Sequence, residues 1–275
     1  GAVGFLDDYC KVKKKRDMGL TAIQKSLLQM AVSAVFLYVL YREGVLTCDL
    51  YIPFWGVRFY IHPALFVLFA MFVIVGTVNA VNLTDGIDGL SASVTIPVMV
   101  FFVAASVALG RQNLALLPAC MIGGLLAYLR LNWHPAKAFM GDTGSMTLGL
   151  LVTILGMRAM HSVEHLGEPE VNPVIVALSP IIIPCFDVLR VYFFRLRHHR
   201  SPFLPDRNHI HHRLMDCGLN ARGTLGVLFS GAVVLCALNF LLSFFLDVNI
   251  VLAIDIAVWL LSTRYLRRRQ LKNAE

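Results

Sequence analysis

The chain has 275 residues, of which 57% are hydrophobic and 15% are charged, and its formal net charge at pH 7 is +7. Soluble domains carry about 25% charged residues, so this composition excludes a soluble globular protein and predicts a polytopic membrane protein. The positive charge lies in short clusters between apolar runs, which indicates cytoplasmic loops. Since no soluble module carries a basic patch, we expect no nucleic-acid partner.

Eight apolar runs are long enough to cross a bilayer as helices, which takes about 20 residues. The sequence therefore predicts an all-α fold, a polytopic helical bundle that forms a single transmembrane domain over residues 1–275. The stretch LYIPFWGVRFYI alternates around a glycine and predicts a small β-hairpin. The runs cover residues 22–42, 63–82, 90–109, 114–131, 145–161, 172–195, 223–246 and 248–265.

Five aspartates in short motifs fall on one side of the membrane when the runs alternate from a cytoplasmic start. That side holds the loops 1–21, 83–89, 132–144 and 196–222 and the tail from 266, and it carries nearly all of the loop lysine and arginine. The bias supports the assignment. Ionised side chains near hydrocarbon are costly, so they are functional candidates by default. The five are Asp7, Asp8, Asp85, Asp88 and Asp142.

The first motif places Asp7 beside Asp8, with Lys11 following. Adjacent carboxylates on a helix point in different directions, so we expect only one of them to meet a metal or act as a base while the other orients it. A solvated loop pair next to the basic residues 13–16 is an equal alternative.

The second motif repeats a polar residue every three positions, at Asn82, Asp85 and Asp88. A helical turn would stack them on one face, and Gly86 and Gly89 would let a ligand approach the backbone. The alternative is a capping cluster for the next helix. Capping explains one acid well and three polar groups poorly, which favours a functional site.

The third motif, NWHPAKAFMGDTGS, is bracketed by Asn132 and Asp142. Asp142 either caps a helix that begins near Ser145 or, in its glycine-flanked turn, holds a metal-bound diphosphate. Phe139 either stacks on a base or packs against the protein, and packing is the more conservative interpretation.

Histidines are concentrated in DRNHIHHRL, at residues 209, 211 and 212. A zinc site would need a fourth ligand that the sequence does not supply. A basic, imidazole-rich loop suits phosphate contacts instead. Asp187, within the run 172–195, is predicted to pair with Arg190 one turn away in a structural role.

Together these motifs offer carboxylates for Mg²⁺, cations for phosphates and a membrane location, which indicate phosphoryl or phosphosugar transfer to a lipid. A transporter or channel is the different-class alternative. It predicts acids inside the runs, where only Asp187 and Asp255 lie.

Five pieces, GFLDDY, GLTAIQKSLLQ, NAVNLTDGIDGL, NWHPAKAFMGDTGS and DRNHIHHRL, occur in an order that resembles the polyprenyl-phosphate N-acetylhexosamine-1-phosphate transferases, of glycosyltransferase family 4 type. Members are multi-pass enzymes of ten or eleven helices in the bacterial cytoplasmic membrane, with a cytoplasmic active site. The resemblance implies a catalytic domain that lacks two or three N-terminal helices, and an inactive fragment is a further alternative.

The resemblance also implies the reaction and its participants. UDP-N-acetylhexosamine and polyprenyl phosphate, a membrane lipid, give polyprenyl-diphospho-N-acetylhexosamine and UMP, with Mg²⁺ or, in its place, Mn²⁺. A homodimer is an arrangement that it leaves open. We expect direct attack of the lipid phosphate on the sugar-bearing β-phosphate, with a covalent aspartyl intermediate as the competitor.

Residue roles carried over by motif complete the expectation. Asp7 and Asp8 match the acidic pair, with Asp7 as the base toward the lipid phosphate, and Asp142 is the favoured metal ligand, with Asp8 and Asp85 as further candidates. Asp85 and Asp88 are expected near the nucleotide diphosphate as catalytic residues. The expected substrate-binding residues are Lys11, Lys25, Asn82, Asn132, Phe139, His209, His211, His212 and Arg213.

Different motifs resemble branches that use different donor sugars. GLTAIQK and VGTVNAVNLTDGIDGL look like the phospho-MurNAc-pentapeptide translocase branch, whereas DRNHIHHRL looks like the branch that transfers GlcNAc-1-phosphate. Ile210 interrupts the histidines and Arg213 follows them, unlike the translocase pattern. We therefore expect GlcNAc-1-phosphate transfer to undecaprenyl phosphate, which would initiate a lipid-linked cell-wall or lipopolysaccharide glycan. Phospho-MurNAc-pentapeptide transfer is the alternative.

Overall fold

The computed structural model describes residues 1–15, 19–44, 46, 48–161, 171–199, 201 and 208–274. Within these residues the chain forms ten α-helices, one short 3₁₀ helix and a two-stranded sheet. The elements are α1 (Ala2–Lys14), α2 (Ala22–Arg42), β1 (Asp49–Ile52), β2 (Val57–Tyr60), α3 (Pro63–Thr84), α4 (Leu90–Ala108), the 3₁₀ helix (Gln112–Ala115), α5 (Leu116–Asn132), α6 (Gly141–His161), α7 (Pro173–Arg197), α8 (Ile210–Asp216), α9 (Ala221–Leu242) and α10 (Val248–Ala274).

Eight of these helices are long and apolar enough to cross a membrane, namely α2, α3, α4, α5 with the preceding 3₁₀ helix, α6, α7, α9 and α10. They match the eight predicted runs in order. The prediction of an all-α, polytopic helical membrane protein is therefore confirmed. The largest boundary differences are at α6, which begins at Gly141, at α9, which ends at Leu242, and at α10, which continues to Ala274.

The predicted β-hairpin is also confirmed. The two strands pair antiparallel, with Leu50 opposite Phe59 and Tyr51 opposite Arg58. The turn between them contains Gly56 at a φ of 64°, a conformation that glycine adopts without steric cost. The Trp55 side chain at this turn is exposed.

The first predicted loop, 1–21, is helical over most of its length, because α1 occupies Ala2–Lys14. Val3 and Asp7 lie one helical turn apart, and both are buried. This helix is too short and too charged to register as an apolar run, but it has one face that packs. It ends at Lys15, which takes a left-handed conformation with a φ of 48°.

The other predicted loops are shorter than expected. Within 196–222 the chain forms α8, and residues 200 and 202–207 of that loop lie outside the described residues. The loop 83–89 loses its first two positions to α3, and the loop 132–144 loses its last four to α6. The membrane side of these loops stays a prediction.

The chain divides into two compact units. Unit 1 comprises Gly1–Asn82 and Met140–Thr153. Within it α1 packs against α2, and α6 lies close to α3. A Cβ atom on Gly149 of α6 would be only 2.7 Å from the Cα of Val78, so glycine permits this close approach of the two helices.

Unit 2 comprises Leu83–Phe139 and Ile154–Glu275. Its most buried helix is α4, which packs against α5, α7 and α9. Asn239 of α9 donates hydrogen bonds to Ser179 of α7 and to Asp255 of α10, both at 2.9 Å. Such polar contacts join helices where no water is present. The single domain expected from the sequence stays a prediction.

Candidate active site

Three carboxylates meet in unit 1. Asp7 and Asp8 of α1 and Asp142 of α6 each offer an oxygen, and these oxygens lie within 4.8 Å of one another. We call these residues the acidic cluster. Both adjacent aspartates thus bring an oxygen close to Asp142, although a helix directs neighbouring side chains apart, and which of them would meet a metal stays a prediction. Gly4 lets α1 lie directly on α6, because a Cβ there would be 2.3 Å from the Asp142 carbonyl oxygen.

Asp8 caps α6 from a different helix. Its carboxylate accepts hydrogen bonds from the backbone N–H groups of Asp142 at 3.2 Å and Thr143 at 3.0 Å, and from the Thr143 hydroxyl at 2.7 Å. The first N–H groups of a helix lack partners within it, and its positive end favours an anion. The predicted alternative, in which Asp142 caps a helix starting near Ser145, is therefore wrong.

Asp7 is the buried member of the cluster, with 3% of its surface exposed. One of its oxygens accepts the Leu20 N–H at 2.7 Å, and the other pairs with the Lys11 ammonium at 2.7 Å. A Cβ on Gly19 would be 2.7 Å from the Asp7 carboxylate. Asp7 thus holds Lys11 and the chain that leads into α2.

Two lysines reach the same carboxylates. The Lys11 ammonium also lies 3.6 Å from Asp8 and 3.3 Å from Asp142, and the Lys25 ammonium lies 2.6 Å from Asp142. Partial burial opposes the charge of Lys11, but its hydrogen bond to Asp7 and the charge of Asp142 outweigh this and raise its pKa. Two cations therefore face three carboxylates, which leaves the ionised cluster with one uncompensated negative charge.

Side-chain amides extend the cluster along α2 and α3. Asn82 donates to Asp142 at 3.0 Å and to the Ser145 hydroxyl at 2.7 Å. Gln29 and Asn79 donate to each other, at 3.2 and 2.8 Å, a pair that was not predicted from the sequence. Lys25 and Gln29 are spaced i, i+4, and Asn79 and Asn82 are spaced i, i+3. Such spacings put each pair on one helix face, and this pattern in the sequence could have indicated that Gln29 and Asn79 lie beside Lys25 and Asn82.

The acidic cluster fits a divalent cation such as Mg²⁺. Mg²⁺ is bound by carboxylates together with water or phosphate oxygens at about 2.1 Å, and the three converging carboxylates are ligands of this kind. The Lys11 ammonium lies among the same oxygens and would have to move aside. Among the described residues Asp85 is not a member of this group, so its metal role, like that of Asp142 and Asp8, stays a prediction.

The second motif has a different geometry from the one predicted. Because α3 ends at Thr84, Asn82 stays on the helix while Asp85 and Asp88 lie beyond it, so the expected single helical face is wrong. The N-cap residue of α4 is Gly89, at a φ of 77°, rather than an aspartate, and the Gly89 N–H donates to Asn132 at 2.9 Å.

Asp88 instead holds the loop that follows α5. It accepts the Ala136 N–H at 3.1 Å and contacts the His134 Nδ1 at 2.9 Å. The Ala136 hydrogen bond and, second, the His134 contact lower the pKa of Asp88. Asp88 is therefore an anion that organises this loop, and its expected catalytic role near the nucleotide stays a prediction.

In the third motif the Asn132 amide is buried and the Phe139 ring is exposed. Asn132 is buried, and besides accepting from Gly89 it donates to the Ala138 carbonyl at 2.8 Å. Its amide thus ties two loops of unit 2 together. Phe139 is 77% exposed, so its ring is not packed in the core and is accessible for stacking. The substrate contacts predicted for both residues stay predictions.

The histidine segment, which we define as residues 208–213, meets the second motif within unit 2. The Gly86 backbone lies on the His211 ring, since a Cβ there would be 2.4 Å from Nε2. His211 is buried, and burial, followed by the neighbouring charges of His212 and His209, lowers its pKa to about 4. His211 is therefore a neutral imidazole at pH 7, which can donate or accept a hydrogen bond.

Two further members of this segment are tied to neighbouring helices. The His209 Nδ1 lies 3.0 Å from Asp187 of α7, and the Arg213 Nε donates to Gln270 of α10 at 3.0 Å. Asp187 also pairs with Arg190 at 2.6 Å, which confirms the predicted ion pair. The link to His209 was missed, because the two residues are far apart in sequence.

Comparison with known proteins identifies the family. Residues 1–160, more than half of the chain, match the sequence model described as glycosyl transferase family 4. The chain belongs to this family. This agrees with the resemblance noted from the motifs. The eight candidate membrane-spanning helices and the bacterial relatives indicate a multi-pass bacterial membrane protein.

Several curated relatives carry the name phospho-N-acetylmuramoyl-pentapeptide-transferase. The chain is 34% identical to that of Clostridium acetobutylicum over 240 residues, which is 87% of this chain and 71% of the relative. It is 38% identical to that of Clostridioides difficile over 224 residues, 79% of this chain and 64% of the relative. These names support the branch that the sequence analysis gave as the alternative, rather than the GlcNAc-1-phosphate branch.

Proposed function

We propose that the protein transfers an N-acetylhexosamine-1-phosphate from a UDP-linked donor to polyprenyl phosphate, in a divalent-cation-dependent reaction that releases UMP. The observation that carries the proposal is the acidic cluster, in which three carboxylates converge with two lysine ammonium groups. Family membership supports the same reaction class. We further propose that the site faces the cytoplasm, in line with the positive charge of the loops around it.

UDP-MurNAc-pentapeptide is the donor that we propose first, because the named relatives belong to that branch. UDP-GlcNAc is the second candidate, and a specific observation favours it. In the histidine segment Ile210 separates His209 from His211, and Arg213 follows, a pattern that resembles the GlcNAc-1-phosphate branch. The two donors differ in the substituent on the sugar, so the choice depends on what this segment accepts.

The reaction that we propose is a direct displacement. An oxygen of the lipid phosphate attacks the β-phosphorus of the donor, and the bond from that phosphorus to the UMP oxygen breaks, so UMP leaves with the electron pair. Lys11 and Lys25 are placed to turn from the carboxylates toward phosphate oxygens, where their charge would stabilise the transition state. Asp142, with Asp7 and Asp8, would hold Mg²⁺, or Mn²⁺ in its place, which supplies charge neutralisation on the diphosphate.

Contacts of the acidic pair favour this direct route over a covalent aspartyl intermediate. Hydrogen bonds and ion pairs stabilise the charge of a carboxylate and so make it a weaker nucleophile. The Asp8 carboxylate accepts three hydrogen bonds, and Asp7 is buried between Leu20 and Lys11. The second pKa of a phosphate monoester is about 6, so the lipid phosphate is already largely dianionic at pH 7. We therefore propose that Asp7 mainly anchors Lys11, and acts as a base only when Lys11 moves away.

A donor panel tests the proposal. Purified protein in lipid nanodiscs would be given undecaprenyl phosphate, Mg²⁺ and one of UDP-MurNAc-pentapeptide, UDP-GlcNAc or UDP-GalNAc, and the lipid-linked product would be measured by mass spectrometry. We expect a diphospholipid product with UDP-MurNAc-pentapeptide. A product with UDP-GlcNAc alone would move the protein to the second candidate. No lipid product with any donor would contradict the proposed reaction.

A further inference from the structure

We propose that Asp187 is a positioning residue that fixes the histidine segment for contact with the UDP-sugar donor. The inference rests on the proposed function, because it assigns the histidine segment to the donor. Asp187 itself lies in the membrane-spanning helix α7 and would act through His209 rather than touch the substrate.

Both oxygens of Asp187 are used. One accepts from Arg190 at 2.6 Å. The other lies 3.0 Å from the His209 Nδ1 and accepts the Ile210 backbone N–H at 3.2 Å. A carboxylate with only a structural role in α7 would be satisfied by Arg190, one turn away on the same helix. Here half of its hydrogen-bonding capacity serves residues of the histidine segment.

Arg190, on the same helix, also holds the histidine segment, and we call Asp187 and Arg190 together the clamp. The guanidinium nitrogen that pairs with Asp187 also donates to the Asn208 carbonyl. The Asp187–Arg190 pair therefore binds three successive residues, Asn208, His209 and Ile210, just where α8 begins. Asp187 is 7% exposed and His209 is 6% exposed, and a buried charged group of this kind is costly unless all its partners are in place.

The clamp also sets the orientation of the histidine rings. A carboxylate beside Nδ1 favours a proton on that nitrogen, so the His209 ring turns this edge toward Asp187. The His209 ring lies parallel to that of His211, with 5° between the ring planes and 6.1 Å between the centroids. His211 in turn lies on Gly86 of the second motif. A shift of His209 would therefore move the imidazole that meets this motif.

The principal variant is Asp187→Asn, with Asp255→Asn as the matched control. Asp255 is also a buried aspartate in a membrane-spanning helix of unit 2, and it bonds to Asn239, on α9. We expect Asp187→Asn to raise the KM for the UDP-sugar tenfold or more, with little change in the KM for polyprenyl phosphate. A change in both KM values that matches the change in Asp255→Asn would overturn the proposal.

A second variant, His209→Gln, tests the same contact in case Asp187→Asn does not fold. His209→Gln removes the link but leaves the Asp187–Arg190 pair intact. We expect it to reproduce the rise in donor KM, and the double variant Asp187→Asn with His209→Gln to add little to either single change. A folded His209→Gln protein with an unchanged donor KM would contradict the assignment.

Hydrogen–deuterium exchange separates this inference from the proposed function, because it needs no turnover. We expect faster exchange in the peptide covering residues 208–216 of Asp187→Asn and no change there in Asp255→Asn. If no donor supports turnover, this result still shows that Asp187 orders the segment, and only its link to a donor is lost. Unchanged exchange in Asp187→Asn would overturn the positioning role itself.

Discussion

The Asp8 carboxylate of α1 caps α6 at Thr143, from which it accepts both the backbone N–H at 3.0 Å and the hydroxyl proton at 2.7 Å. The residue before it, Asp7, and the residue before Thr143, Asp142, complete the acidic cluster. One capping contact between two helices thus brings three carboxylates together. Stability and the proposed chemistry depend on the same side chain here, and substitutions can separate them.

Two substitutions at Asp8 distinguish capping from charge. Asp8→Ala removes the three hydrogen bonds that Asp8 accepts at the α6 N-terminus and should cost about 1–2 kcal/mol of stability, as loss of a helix cap does. Asp8→Asn keeps an acceptor oxygen and should retain most of that stability, but it removes a charge from the cluster and should lower turnover. Thermal unfolding and UMP release measure the two effects. Equal loss of both properties in Asp8→Asn would contradict a separate role for the charge.

Gly4 tests how closely α1 must approach α6. In Gly4→Ala the new Cβ would be 2.3 Å from the Asp142 carbonyl oxygen, so the helices must separate, at a cost of about 1–3 kcal/mol. Gly76→Ala is the control in unit 1, because nothing lies within 4 Å of a Cβ at that position. We expect a lower unfolding temperature for Gly4→Ala only. An unchanged temperature would show that the approach is not required.

The position of Lys11 predicts how a divalent cation affects the stability of the protein. Its ammonium lies among all three carboxylates and would compete with an added ion. Lys11→Met should therefore make the metal-free protein less stable and increase the rise in unfolding temperature when Mg²⁺ is added. Asp142→Asn should reduce that rise. If Mg²⁺ stabilises neither wild type nor Lys11→Met, the acidic cluster is not a metal site.

The lowered pKa of His211 predicts that the stability of the protein depends on pH. Burial and the neighbouring His212 and His209 lower its pKa to about 4, from an ordinary value of 6.5. As the pH falls below about 6.5, the unfolded chain binds a proton that the folded protein resists. Stability should therefore fall between pH 6.5 and about 4. Unfolding temperatures across this range should drop less steeply in His211→Gln, and identical slopes would refute the assignment.

Periodicity and charge predicted much of the fold. The eight apolar runs and the hairpin around Gly56 are signals within single segments, and all of them were found. The helix α1 was missed because only one narrow face of it is buried, at residues such as Val3 and Asp7. Hydropathy averaged over a long window does not detect so short a packing face.

Contacts within the site were harder to predict than its residues. The motifs gave Asp7, Asp8 and Asp142 individually, but their convergence depends on Gly4, whose contact with α6 is not visible in a single sequence. The Asp187–His209 contact likewise joins a membrane-spanning helix to a loop. Hydrogen bonds over such separations follow from tertiary packing, whereas pairs such as Asp187 and Arg190 follow from helical spacing.

If the acidic cluster supports phosphosugar transfer to a polyprenyl phosphate, turnover should depend on Asp142. The most direct measurement is Mg²⁺-dependent UMP release from the preferred UDP-sugar, by wild type and by Asp142→Asn, in nanodiscs that contain undecaprenyl phosphate. We expect release by wild type that requires both the lipid and Mg²⁺, and a loss of a hundredfold or more in Asp142→Asn. Release that persists in Asp142→Asn at the wild-type rate would contradict this dependence.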